Sequence, residues 1–261
     1  MVSVILIWIY MTVTCYITGY LCLTGICRKG NYQIRKESSY LFSGIVLMTV
    51  YAEIFSLFGG VSFLANALLL VICLICFLVK KEELAGHFRN IRLTVTPQRV
   101  ILILVLFFLF AYGTASGLEH YDTGLYHAQS IRWIEEYGIV PGLGNLHSRL
   151  AYNSAAFSLS ALYSMVFLTG RSFHCCTGYF AFLLAVCCTD ACCREREKKL
   201  LLSDLIRVMA VYYLLNIFDE MISPASDYFM VLTVFWLVIR WLELLERKEK
   251  STVPYSLLCV L

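Results

Sequence analysis

Apolar residues along this chain come in long unbroken runs, not in the alternation of a half-buried strand or the one-sided stripe of a surface helix. The runs are Val2–Ile26, Tyr40–Val79, Val100–Ser116, Tyr152–Leu168, Phe173–Cys193, Leu200–Phe218 and Tyr228–Leu245, and a last one begins at Val253. About 20 apolar residues carry a helix across a bilayer, and the lack of alternation excludes an outer-membrane barrel. Tyr40–Val79 is about twice that length and holds Gly59-Gly60 at its midpoint, which predicts two helices joined by a tight turn. The pattern therefore predicts an all-α, polytopic transmembrane helical bundle of about eight spans plus the start of a ninth. The run from Val253 to Leu261 is too short to cross, so the expectation is an N-terminal fragment of a longer protein, truncated within a helix.

Composition sharpens this into an exclusion. Of 261 residues, 60% are hydrophobic and only 15% charged, against about 45–50% and about 25% in soluble domains, and the mean hydropathy is +0.74. Soluble enzymes, disordered scaffolds and secreted disulfide frameworks are excluded. The lipid bilayer is the expected partner, and with a net charge of +3 and no basic stripe, no nucleic acid is. The 12 cysteines fall mostly within apolar runs, where cysteine acts as a small hydrophobe. The pairs Cys175–Cys176, Cys187–Cys188 and Cys192–Cys193 lack the spacing of a zinc site.

Charge placement orients the chain. Arg28, Lys29, Arg35 and Lys36, then Lys80, Lys81, Arg89, Arg92 and Arg99, mark two cytoplasmic segments by the positive-inside tendency. Val100–Ser116 then runs outward. The chain divides into an N-terminal three-helix membrane region, residues 1–99, and a membrane core, residues 100–261, with an outer loop at 117–151. Beyond the loop two layouts are open. If Tyr152–Leu168 and Phe173–Cys193 both cross, the basic segment Arg194–Lys199 lies outside; if one is re-entrant, that segment is inside and Asp219–Asp227 outside. Charge favours the second.

The outer loop holds three of the five histidines (His120, His127, His147) with Glu119 and Asp122. Asp122 precedes a stretch of helical spacing that ends at Gly138. At about 100° per residue, Tyr126, Trp133 and Tyr137 gather on one side with Ile134 beside them, and Gln129, Arg132, Glu135 and Glu136 on the other. That predicts an amphipathic juxtamembrane helix lying flat at the outer membrane surface, with Asp122 held at the boundary. Asp122 stands where a helix N-cap would, and capping and chemistry are both open to it. Asp227 is placed to cap a helix from Tyr228, and Arg149 either snorkels from the next helix or binds an anion. The two loop histidines His127 and His147 read first as hydrogen-bonders. A metal site built from Glu119, His120, Asp122, His127 and His147 matches no compact ligand motif. Glu53, inside an apolar run, is either an intramembrane functional carboxylate or a residue near the outer end of its helix.

An outward helix, then an acidic residue opening a juxtamembrane helix (Asp122-Thr123-Gly124-Leu125-Tyr126-His127), then Arg149-Leu150-Ala151-Tyr152-Asn153-Ser154 leading into the next apolar run, resembles the GT-C superfamily of polytopic glycosyltransferases. These include protein mannosyltransferases, aminoarabinose transferases and bacterial relatives. The resemblance spans about Glu119–Leu162, and Ser223-Pro224-Ala225-Ser226-Asp227-Tyr228 resembles a second patch of that kind. Thr123 stands where many members have a second acid, and Tyr152-Asn153-Ser154 where many have prolines. The resemblance implies sugar transfer from a polyprenyl-phosphate donor to an unknown acceptor on the extracytoplasmic face of a bacterial cell membrane. It implies Asp122 as general base, or as a ligand of a divalent cation in metal-dependent members. Arg149 is the candidate for the donor phosphate, and His127 and Asp227 for substrate binding. The alternative is a transporter or flippase for lipid-linked sugars, hinted at by Glu53 and Gly59-Gly60.

Overall fold

The computed structural model describes residues 1–189 and 200–260, and its described residues are mainly helical, with no strand among them. Four helices lead: α1 (Val2–Lys29), α2 (Glu37–Ser56), α3 (Phe63–Thr94) and α4 (Pro97–Ser116). The outer loop follows, with a π-helical turn at Thr123–His127 that runs into α5 (Ala128–Tyr137), and a short α6 (Leu143–Leu146). Then come α7 (Ala155–Leu162), α8 (Val166–Thr169), α9 (Cys176–Thr189), α10 (Leu202–Asn216), α11 (Ser226–Glu246) and α12 (Val253–Val260).

Five helices have the length and hydropathy of a membrane span: α1, α2, most of α3, α4 and α11. This is a multi-pass membrane protein. The expectation of about eight spans is corrected at Tyr152–Leu168. That run breaks at Tyr163–Met165, where Met165 takes a left-handed backbone conformation with φ 54°, leaving an α7 of 8 residues. Helix α10 has 15 residues, fewer than the roughly 20 of a lone crossing, and α9 is described over 14 residues to Thr189. Gly59-Gly60 does separate two helices, and Glu53 lies close to the end of α2, whose Ser56 hydroxyl donates to the Glu53 carbonyl at 2.6 Å. The turn joins two unbroken helices, so it supplies no broken helix at mid-membrane.

Polar groups separate to two ends. At one end Arg28 pairs with Glu83 at 3.4 Å, His87 with Glu37 at 3.1 Å, and Lys36 with Glu243 at 3.5 Å. Arg207 and Arg240 also close on Glu243, while the Ser203 hydroxyl donates to Glu246 at 2.7 Å. Arg207 and Glu243 are each only 3% exposed, a buried charge network invisible in the sequence pattern. This basic end is the inner one by the positive-inside tendency. At the outer end the Leu118 amide donates to the Asp219 carbonyl at 2.6 Å. The chain thus runs inward through α9, outward through α10 and inward again through α11, with α7 and α8 re-entrant from the outer side. Arg194–Lys199, on which the choice between the two layouts turned, lies outside the described residues.

Close helix contact is made through glycine. A Cβ on Gly19 would strike the Tyr40 carbonyl, one on Gly44 the Cys15 carbonyl, and one on Gly178 the Thr114 hydroxyl. In lipid, where no water is expelled between helices, such small-residue contacts supply the association energy. Around them one buried cluster runs from Val4 to Ile239, with Trp8, Phe157, Tyr163, Tyr179 and Leu184 almost wholly enclosed. Gly44→Val therefore overpacks the α1–α2 crossing and lowers stability by about 1–3 kcal/mol, read as earlier thermal unfolding in detergent; an unchanged melting curve would contradict the crossing. Single cysteines at Gly124 and Asp219 should label from outside in intact cells, and one at Lys250 should not.

Candidate functional site

Three segments far apart in sequence meet at the outer end. Asp122 sits at the head of the π-turn that opens into α5, and its side chain makes no capping bond. Its Oδ1 instead accepts from Arg149 Nη1 at 3.0 Å, and its Oδ2 lies 4.0 Å from His120 Nδ1, which accepts the Asp122 amide at 3.2 Å. The pair is 33% and 47% exposed. An ion pair this open contributes about 0–1 kcal/mol, so it is a weak device for stability and an accessible one for a ligand.

The surroundings hold it in place. The Arg149 guanidinium lies 5.6 Å from the centre of the Tyr126 ring, a cation–π contact. Tyr126 packs on Tyr152 at 6.3 Å, and the Tyr152 hydroxyl meets Ser226 Oγ at 2.9 Å. The patch around Ser223 is drawn in as well: Ser223 Oγ accepts from the His120 amide at 2.6 Å, and the Thr177 hydroxyl donates to the Ser223 carbonyl at 2.7 Å. Asp227 lies in the first turn of α11, beyond Ala225 at its N-cap, and is not a cap. An acid there faces the positive end of the helix dipole. It is also close enough that, after burial, Asp122 and Tyr152, its charge raises the Tyr126 phenol.

His127 is placed differently from an open-face ligand. It is 3% exposed, its ring lies 4.2 Å from Tyr126 and 5.4 Å from Phe157, and its Nδ1 has no partner. Burial lowers its pKa, against the opposing pull of Asp122. Thr123, His127, Ile131 and Ile134 all point into the bundle, so α5 does not lie flat on its aromatic side: it packs an i, i+4 face on α7, and leaves Tyr137 exposed. His147 makes a local bond, accepting the Arg149 amide at 3.3 Å. Among the described residues no three histidine, cysteine or acidic side chains gather as a metal ligand set.

Two residues escaped the sequence reading. Glu135, assigned by periodicity to the polar face, is 2% exposed and accepts from the Ser172 hydroxyl at 2.7 and 2.8 Å; burial raises its pKa despite bonds from Ser164 and Ser172. His174 was absorbed into an apolar run that actually starts its helix at Cys176. Its buried Nδ1 has no partner, and burial, helped by His127, pushes its pKa down to about 4. An isolated histidine in an apolar run carries no periodic mark.

The backbone explains how α5 is fixed. Val61 N donates to Ile134 O and Ile139 N to Ser56 O, both at 2.8 Å, tying the end of α5 to the α2–α3 turn. The contact is so close that a Cβ on Gly60 would meet the Glu135 and Glu136 carbonyls, and one on Gly138, already at φ +77°, the Ser56 carbonyl.

Compared with known proteins, the whole chain, residues 1–261, matches the profile of a family described as a domain of unknown function, DUF8201. The chain belongs to this family. Neither a curated protein nor a solved structure matches it. The family carries no assigned activity, so the reading of the site rests on its own chemistry.

The two buried imidazoles have a consequence for stability. An unfolded chain protonates His174 below its ordinary value of about 6.5, whereas the folded one resists until about 4. Stability contributed by the neutral form is therefore lost as pH falls between these values, by up to roughly 3 kcal/mol. Glu135 acts in the opposite sense, its raised pKa favouring the folded state as pH falls. The difference between wild type and His174→Phe isolates the histidine: the variant should lose less of its melting temperature between pH 7 and 4.5. Parallel acid limbs would remove His174 from the account.

Proposed function

We propose that this protein is an integral membrane glycosyltransferase of the bacterial cell membrane, moving a sugar from a polyprenyl-phosphate donor to an acceptor hydroxyl on the extracytoplasmic face. The observation that carries the reading is the half-exposed Asp122–Arg149 pair at the outer end of the bundle, with Asp227 beside it. A carboxylate able to take a proton and a guanidinium able to bind phosphate stand together at the loop end of the bundle, which on this reading is where the headgroup of a lipid-linked donor would sit.

The chemistry follows from the two groups. A donor phosphate competes with Asp122 for the guanidinium, which forms bidentate pairs with phosphate oxygens. The carboxylate so released takes the proton of an acceptor hydroxyl. The hydroxyl oxygen bonds to the anomeric carbon from the face opposite the phosphate, the carbon–oxygen bond to phosphate breaks, and its electron pair leaves on the polyprenyl phosphate, where Arg149 balances the charge. The sugar is transferred with inversion. Asp227, at the head of α11, adds a polar group on the substrate side, and His127 backs the Tyr126 ring from within the bundle without touching substrate. Among the described residues no set of three histidine, cysteine or acidic side chains converges at Asp122 to hold a divalent cation, so no step is routed through one.

The test is donor turnover by the purified protein in lipid vesicles supplied with a radiolabelled polyprenyl-phosphate hexose. Asp122→Asn should lower the rate by about 10²–10⁴, the usual contribution of a general base. Arg149→Gln should raise the donor concentration needed for half-maximal rate. A fully active Asp122→Asn protein would remove Asp122 from the mechanism.

A further inference from the structure

One turn occurs twice in the outer loop, once before each member of the Asp122–Arg149 pair. The ring Nδ1 of His120 accepts the Asp122 amide, two residues on, at 3.2 Å, and the His120 carbonyl accepts the Thr123 amide at 2.9 Å. The ring Nδ1 of His147 accepts the Arg149 amide, again two residues on, at 3.3 Å, and the His147 carbonyl accepts the Leu150 amide at 2.9 Å. Side chains that take the amide two residues ahead are ordinarily Asn, Asp, Ser or Thr; here a histidine stands in that place both times. The first turn is also tied to the frame. The His120 amide donates to Ser223 Oγ at 2.6 Å, Ser223 is fully buried, and the His120 ring lies 6.4 Å from that of Tyr228 in α11.

The transfer chemistry makes a demand that the resting ion pair does not meet. At rest Asp122 and Arg149 hold one another at 3.0 Å, and the Asp122 side chain makes no capping bond. A donor phosphate that takes the guanidinium removes that contact from both residues at the moment when each must be aimed. A base acts within about 2.6–3.2 Å of the proton it takes, and a displacement of about 1 Å can cost roughly 10²-fold in rate. What then fixes each residue is its main chain, and in both cases a histidine ring holds the amide. The bond also sets the state of each ring. An acceptor nitrogen carries no proton, so both neutral rings bear theirs on Nε2. The His120 Nδ1 lies 4.0 Å from Asp122 Oδ2, so a proton there would turn toward the carboxylate and occupy the oxygens the base needs.

We infer that His120 and His147 are paired positioning residues, His120 for the carboxylate of Asp122 and His147 for the guanidinium of Arg149, each acting through the amide that its Nδ1 accepts. Their roles in turnover rest on the transferase reading above; the two ring-to-amide bonds do not. Neither ring is assigned a contact with donor or acceptor. Because each histidine serves one member of the pair, the two predict different kinetic defects. Misaiming the base slows the chemical step, whereas misaiming the guanidinium weakens the hold on the donor phosphate.

The experiment uses the full chain in lipid vesicles with the radiolabelled polyprenyl-phosphate hexose, comparing phenylalanine and asparagine at each position. Phenylalanine keeps a ring but accepts no amide; asparagine accepts the amide two residues on without an imidazole. His120→Phe should lower kcat by about tenfold or more with the donor KM within about twofold, and His147→Phe should raise the donor KM about tenfold with kcat within about twofold. Both His120→Asn and His147→Asn should recover most of the loss, which a role of the imidazole in proton transfer or in direct ligand binding would not allow. Phe variants with wild-type kinetics, defects that do not divide between kcat and KM in this way, or Asn variants no better than Phe overturn the inference, while wild-type turnover keeps the transferase reading. A wild type that turns over no donor sinks that reading, and the two bonds are then decided by nitrogen NMR of histidine-labelled protein in phosphatidylcholine nanodiscs. The signals lost in His120→Asn and in His147→Asn should each show a neutral ring protonated on Nε2; a neutral ring protonated on Nδ1 at either position overturns the inference.

Discussion

Between Leu162 and Cys176 the chain is helical only over α8, and the main-chain groups it uncovers at the two buried ends of this stretch must find partners within the protein. The partners come from long-range side chains. The Asn66 amide donates to Leu162 O at 2.9 Å and is itself held by the Tyr10 hydroxyl at 2.9 Å. The Trp8 indole donates to Cys175 O at 2.9 Å. Tyr163 and Tyr179, both fully enclosed, meet Thr14 and Thr12 at 2.8 and 2.9 Å. Thus α1 and α3 act as the polar lining of a re-entrant element as well as spans. The outer loop depends on this arrangement, since α5 rests on α7 and its Glu135 reaches Ser172 in the same re-entrant segment.

The site inherits a division of labour. Groups that fix geometry are buried and well bonded, as with Ser223, which takes the His120 amide and gives its carbonyl to Thr177. The pair proposed for chemistry is open and contributes little to folding. A site built this way can change its charge pairing when a ligand arrives without disturbing the frame, because the main-chain ties of α5 do not pass through Asp122 or Arg149.

Much of the frame was legible in the sequence because lipid imposes a coarse rule. Runs such as Val2–Ile26 and Val100–Ser116 can only be helices, and Gly59-Gly60 marked the turn between α2 and α3 correctly. What the runs concealed was where hydrophobicity serves protein packing instead of lipid contact: Ala155–Leu162 and Cys176–Thr189 are apolar because most of their residues are buried among other helices, and burial gives no measure of span length. Periodicity found α5 but misjudged its faces, because a face turned toward α7 may carry Thr123, His127, Ser130 and Glu135 when the neighbour is polar too. Asp122, Arg149 and Asp227 were selected singly. That the first two form a pair follows from tertiary contacts, which no spacing encodes. His174 and the Arg207–Glu243 network were missed for a related reason: a single charge in or beside an apolar run reads as an end of the run until its partner is seen.

The docking of α5 on the α2–α3 turn is made by main-chain atoms on both sides, with Gly60 and Gly138 admitting the approach. A contact of that kind carries no side-chain address. The stretch after Gly138 can therefore be lengthened, shortened or redecorated without moving the helix that bears Asp122, provided that the two glycines stay bare. The fold in this way separates a fixed helix from an adaptable rim.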